Sequence, residues 1–131
     1  GISEAELDRR VGPDDWSPRW VAHHLADSET RSYQRIRRLL AEDEPVILGY
    51  DEAHWATVLH YERPIEASLA VFRAVRAATA ELLVLLSDEQ WRRGGSHSDS
   101  GAYGAETWLR IYAEHAEEHA DQIRRARALL T

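Results

Sequence analysis

Cysteine is absent from the 131 residues, which excludes disulfides, thiolate metal sites and a cysteine nucleophile. Methionine and lysine are missing too, and all 16 basic residues are arginine, a mark of GC-rich coding rather than of mechanism. No apolar run approaches the ~20 residues of a membrane span, so no membrane partner is expected. The opening GISEAELDRR is polar and acidic, unlike a secretory signal, and a cytoplasmic location is expected. Positive charge is short: the net charge is −7 and no basic stripe occurs, which argues against nucleic acid as a partner. Phosphate-binding loops and the G-x-S-x-G nucleophile motif are also lacking.

What remains is helical periodicity. The 131 residues suffice for one domain with a core, here expected over residues 1–131. The pattern predicts three long helices. The first runs from Ser17 to Ala41, with Pro18 at the first helical position and Val21, Leu25, Ile36, Leu39 and Leu40 on its apolar side. The second runs from Pro64 to Leu86, on the spacing of Ile65, Leu69, Phe72, Val75, Thr79, Leu82, Leu83 and Leu86. The third runs from Ala105 to Leu130, where Trp108, Tyr112, His115, His119, Ile123, Ala126 and Leu130 share a stripe. Residues 42–63 read as an extended crossing with a short helix at DEAHWATVLHY, SDEQW as a turn or short extension, and RRGGSHSDSGAYG as a Gly/Ser-rich loop. No sustained strand alternation occurs, so the class is all-α, a helical bundle. Three long helices and a short one make a thin bundle. A fourth helix from upstream, or a second chain, is expected to cover the remaining face, and a homodimer is the expected assembly.

With thiolates excluded, a metal must rest on histidine and carboxylate. Seven histidines are present. His115 and His119, in YAEHAEEHADQI, lie four apart and so on one helical face. That face also carries Trp108, Tyr112 and Ile123, whereas Glu114, Glu117, Glu118, Asp121, Arg124 and Arg125 lie off it. Buried imidazoles need partners for their ring nitrogens, and a shared metal supplies them. His24, in WVAHHLADSE, falls on the apolar stripe of the first helix and offers a third ligand. His23 points about 100° away and reads as an outer-sphere or exposed residue. Ala116 follows His115, so the metalloprotease pattern HExxH is not met.

Taken in order, WSPRWVAHHLADSE, PVILGYDEAHW, RRGGSHSD and YAEHAEEHADQI resemble the DinB/YfiT superfamily of metal-binding four-helix bundles, most closely its YfiT-like branch. The resemblance implies that His24, His115 and His119 hold zinc or nickel. It also implies a bundle of up-down-down-up type that opens on a long first helix, where this chain begins near that helix's expected end. Members of the superfamily include metal-dependent hydrolases and S-transferases that use low-molecular-weight thiols such as mycothiol or bacillithiol. The resemblance therefore implies a small-molecule substrate and a low-molecular-weight thiol as partners.

Three neutral imidazoles leave a divalent ion its full charge and an open position, the catalytic rather than the structural pattern. Water bound there can reach a pKa near ~7, and a thiol would be held as thiolate. Thiol S-transfer leads these expectations, hydrolysis of a small ester or amide is the alternative, and a non-enzymatic metal- or ligand-binding module is the third reading. Asp27 and Gln122, each three residues beyond a proposed ligand, are candidates to orient imidazoles. Tyr50, Trp55, His97 and Tyr103 are candidates to meet a substrate, and Trp16, Trp20 and Trp91 are assigned to the core or the bundle ends.

Overall fold

The computed structural model describes residues 1–128. The element order is α1 (Glu4–Leu7), α2 (Pro18–Ala41), β1 (Val46–Ile47), α3 (Glu52–Val58), α4 (Glu66–Leu83), α5 (Asp88–Trp91), β2 (Gly94–His97), β3 (Gly101–Gly104) and α6 (Ala105–Ala128). Ser17 caps α2 by accepting from the Trp20 amide, and Pro18 opens the helix where an amide hydrogen would go unused. The expected long helices are therefore present, with α4 shorter at both ends than periodicity alone suggests. Leu130, placed on the third helix by its spacing, lies outside the described residues.

Helix α2 is the spine. Its contacts to α4 run in the same order along both helices, from His23–Ser68 through Glu29–Arg76 to Arg37–Thr79, so the two are parallel. Contacts to α6 run in opposite order, His24 to His115 and Ser32 to Trp108, so α6 is antiparallel. A parallel pair requires a long return, and residues 42–65 supply it by crossing back along α2. Leu48 meets Arg31 and Arg35, Tyr61 meets Asp27, and the Arg63 carbonyl meets His23. Helix α3 lies on this crossing and ends at Val58, with Leu59 as its C-cap, before His60 takes a positive φ of 54°.

Two apolar clusters close the ends of the bundle. Ile36, Leu39, Ile47, Tyr103, Ala105, Trp108 and Tyr112 form one, with Leu40, Leu83 and Trp91 packed on it. Leu7, Ala22 and Ile65 form the other, with Ile2 and Leu69. The N-terminal segment is built into this second end. A Ser3–Glu6 capping box starts α1, and the buried Arg19 guanidinium binds Asp8 at 2.6 Å and Glu4 at 2.5 Å. SDEQW is likewise a short capped helix, α5, closed by Ser87 and Gln90.

The segment expected to be a Gly/Ser-rich loop is instead a hairpin. β2 pairs antiparallel with β3, and β1 adds in parallel to β2. Glycine makes the pairing possible: a Cβ on Gly95 would lie 2.1 Å from the Pro45 carbonyl oxygen, and Gly101 turns the hairpin at φ +82°. Among the described residues, no helix is long and apolar enough to cross a membrane.

Candidate metal centre

The antiparallel α2–α6 pair brings His24, His115 and His119 together. His24 sits on the second turn of α2, His115 and His119 are one turn apart on α6, and all three rings face the seam between them. The His115 Nε2 lies 3.2 Å from His24 Nε2 and 3.1 Å from His119 Nε2. Among the described residues these three form the one group of His, Asp or Glu whose ligand atoms all lie within 4.8 Å of one another.

The donor set fits a divalent ion. Nitrogens bound at ~2.0–2.1 Å in a tetrahedral site stand about 3.3 Å apart, close to the spacing found here. The Gln122 Oε1 lies 2.9 Å from His119 Nδ1 and accepts its proton, which leaves Nε2 as the lone-pair nitrogen. Hydrogen bonding among the imidazoles alone leaves a deficit. His115 Nε2 faces two nitrogens and can donate to only one. Burial, reinforced by the neighbouring His119 and His115, pushes the His24 pKa down to about 3. Burial also lowers His115 to about 4, with His119 and Arg76 adding to the effect. Both rings are thus neutral at pH 7, the form that binds a metal.

The surroundings correct several expectations. His23 is fully buried rather than exposed or outer-sphere. Its Nε2 donates to the Arg63 carbonyl at 2.9 Å, so its Nδ1 accepts from Ser68 Oγ at 2.7 Å. It pins α2 to the start of α4. Asp27 orients no imidazole; it accepts from the buried Tyr61 hydroxyl at 2.5 Å. His97 stacks on Tyr103 and accepts from the Asp99 amide, away from the three histidines. The hairpin that carries it borders a cavity of about 900 Å³ with Glu44 and Trp91, which none of the three histidines lines. Tyr50 and Trp55 pack against each other on the crossing with their rings tilted by 58°, and both lie against the Arg31 guanidinium.

Trp16, expected in the core or at a bundle end, touches the site, its ring 5.1 Å from that of His24. Trp16 and Gln122, each in contact with one of the histidines, both border a cavity of about 460 Å³ whose wall also includes Asp15 and Arg125; no histidine lines it. Trp20 packs edge-on against Trp16, and Trp91 lies against the core at the far end.

The comparisons agree with this geometry. Residues 1–123 match the DinB superfamily. A protein of Oceanobacillus iheyensis named a putative metal-dependent hydrolase is 35% identical over 122 residues, covering 93% of this chain and 71% of that protein. A protein of the same description from Halalkalibacterium halodurans is 31% identical over 125 residues, covering 95% of this chain and 73% of the relative. The solved structure of YfiT from Bacillus subtilis, described as a probable metal-dependent hydrolase with an unusual four-helix bundle topology, superposes with a TM-score of 0.92 at 30% identity, over 98% of this chain and 75% of that one. The parallel α2–α4 pair, the antiparallel α6 with its two histidines and the match over residues 1–123 lead to one assignment: this chain belongs to the DinB superfamily.

Proposed function

We propose that this chain is a metal-dependent enzyme that uses His24, His115 and His119 to hold zinc or nickel, and that it transfers a low-molecular-weight thiol to an electrophilic small molecule. Three imidazoles suit either metal. A divalent ion bound there supplies Lewis acidity, lowering the pKa of a thiol or water that joins it.

The observation that carries the thiol reading is the state of the nearby carboxylates. Asp27 is engaged by Tyr61, and Glu29 is held by Arg76 at 2.9 and 2.8 Å. Glu114, Glu117, Glu118 and Asp121 are exposed on α6. Among the described residues, then, no free buried carboxylate stands beside the histidines to act as a general base. Lewis acidity would deprotonate bound water as it would a thiol, but hydrolysis of an amide or an unactivated ester also needs a group to protonate the leaving group. Attack by a thiol already deprotonated does not. The chain's own residues position and exclude: Gln122 fixes the His119 tautomer, Trp16 seals one edge of His24, and the cavity beside Trp16 and Gln122 offers room for a small molecule.

Hydrolysis of a small ester or amide is the second reading, and the names given to the relatives favour it. The deciding assay incubates zinc-loaded protein with 1-chloro-2,4-dinitrobenzene and a panel of small thiols, and in parallel with p-nitrophenyl acetate and no thiol. Thiol-dependent turnover that disappears in His115→Ala supports S-transfer. Thiol-independent ester cleavage lost in the same variant overturns it in favour of hydrolysis.

A further inference from the structure

Beyond the histidines, the same face of α2 carries Ser28, Arg31 and Arg35, at helical spacings of four, three and four from His24. On α6, Tyr112 precedes His115 by one turn, with ring centroids 6.2 Å apart. Arg35 Nη1 donates to the Tyr112 hydroxyl at 2.9 Å. Arg31 and Arg35 both donate to one acceptor, the Leu48 carbonyl, at 2.8 and 2.7 Å. The Arg31 guanidinium also lies over the Tyr50 ring at 4.4 Å and the Trp55 ring at 5.2 Å.

Two features of this cluster are unusual. Neither Arg31 nor Arg35 has a carboxylate partner among the described residues, whereas the buried Arg19 and the partly exposed Arg76 are each paired with one or two. Acid groups are not scarce, since the chain has 23 of them. Buried polar atoms here also go unused. Arg31 Nε, the Tyr50 hydroxyl and the Tyr103 hydroxyl have no hydrogen-bond partner, and Tyr103 is only 4% exposed. The Tyr103 hydroxyl is near Arg35, and that of Tyr50 near Arg31 and Ser28, but outside hydrogen-bonding geometry. Burial raises both phenols to about 12, so both keep their protons and remain donors. Arg31 and Arg35 also border a cavity of about 180 Å³ with Gln34, Arg38, Ile47 and Leu48, a wall that includes none of the tyrosines or histidines. Two neighbouring cations without a counter-charge, surrounded by unused donors, match the needs of a small carboxylate.

We infer that Arg31 and Arg35, with the hydroxyls of Tyr50, Tyr103 and Tyr112, bind the carboxylate of a small anionic substrate beside the histidine cluster. The anion site stands on its own side chains; only the reaction at the other end of the substrate rests on the metal-dependent reading above.

The test is calorimetric titration of the full chain with benzoate, with benzamide as the neutral isostere and with inorganic phosphate. Saturable benzoate binding is expected, with benzamide at least tenfold weaker. Arg31→Gln and Arg35→Gln each weaken benzoate about tenfold or more, while Arg73→Gln, exposed on α4, does not. Should either glutamine variant fail to fold, Tyr103→Phe deletes only a hydroxyl unused in the free protein, and it is expected to weaken benzoate about threefold without loss of thermal stability. No benzoate binding, equal binding of benzamide, phosphate binding in place of benzoate, or benzoate binding unchanged in Arg31→Gln overturns the inference. Repeating the titration in His115→Ala separates the two readings. Benzoate bound there through Arg31 sustains the anion site even if the chain takes up no metal. Benzoate lost there but retained in Arg31→Gln assigns the carboxylate to the ion and overturns the anion site.

Discussion

His23 and His24 are neighbours in sequence with opposite tasks, because successive residues on a helix point about 100° apart. His23 turns toward α4 and has both nitrogens satisfied, by Ser68 and the Arg63 carbonyl. His24 turns toward α6, and its Nδ1 has no partner. Helical spacing separates the two directions but carries nothing about what covers the His23 side, whose partners lie 40 and 45 residues away. Gln122 is the counterpart on α6. Three residues beyond His119, it is within reach of that ring by local helix geometry alone, which makes it legible from sequence. Asp27 has the same spacing from His24 but is taken by Tyr61 from the crossing, a contact no local rule foretells. Gln122→Ala is expected to lower metal affinity about 10- to 100-fold while leaving the fold intact, because His119 loses the acceptor that fixes its tautomer. Competition against a fluorescent chelator measures it, and an unchanged affinity would show that Gln122 has no orienting role.

At the scale of elements, what was legible follows from locality. The long helices announce themselves by three-and-four spacing and by Ser17–Pro18 at the start of α2, all of which act within a few residues. The sheet does not. Gly94, Gly95 and Gly104 provide no hydrophobic alternation, and β1 reaches β2 across 50 residues of chain, pairing Val46 with Ser96. Its existence depends on close approach: the Ser96 amide donates to the Pro45 carbonyl at 3.0 Å, past the bare Cα of Gly95. Gly95→Val is expected to destabilise the chain by about 1–3 kcal/mol, read from urea unfolding, as the new side chain displaces Pro45. Metal stoichiometry should be unchanged, since α2 and α6 hold the ligands far from that edge. Equal stability of the variant would mean that the β1–β2 approach is looser than the backbone indicates.

For the whole molecule, the histidine-lined seam costs stability whenever it is acidified without metal. Unfolded histidines bind protons near pH 6.5. In the fold, burial holds His24 near 3 and His115 near 4, and lowers His23 as well. Between pH 6.5 and about 4 the unfolded chain therefore binds more protons than the folded one, and stability rises with pH across that window. Chelator-treated protein should show a lower urea midpoint at pH 5 than at pH 7.5, and an equal or higher one would contradict the buried, neutral state of these rings. Everything proposed about the chemistry depends on one claim, that the three imidazoles hold a metal. The most direct test is metal content by mass spectrometry on protein purified without a nickel column and then offered zinc or nickel, beside His24→Ala, His115→Ala and His119→Ala. The account predicts about one ion per chain, lost or strongly reduced in each variant, because each removes one of only three protein ligands. No bound metal in the unsubstituted chain, or undiminished binding in the three variants, would contradict it.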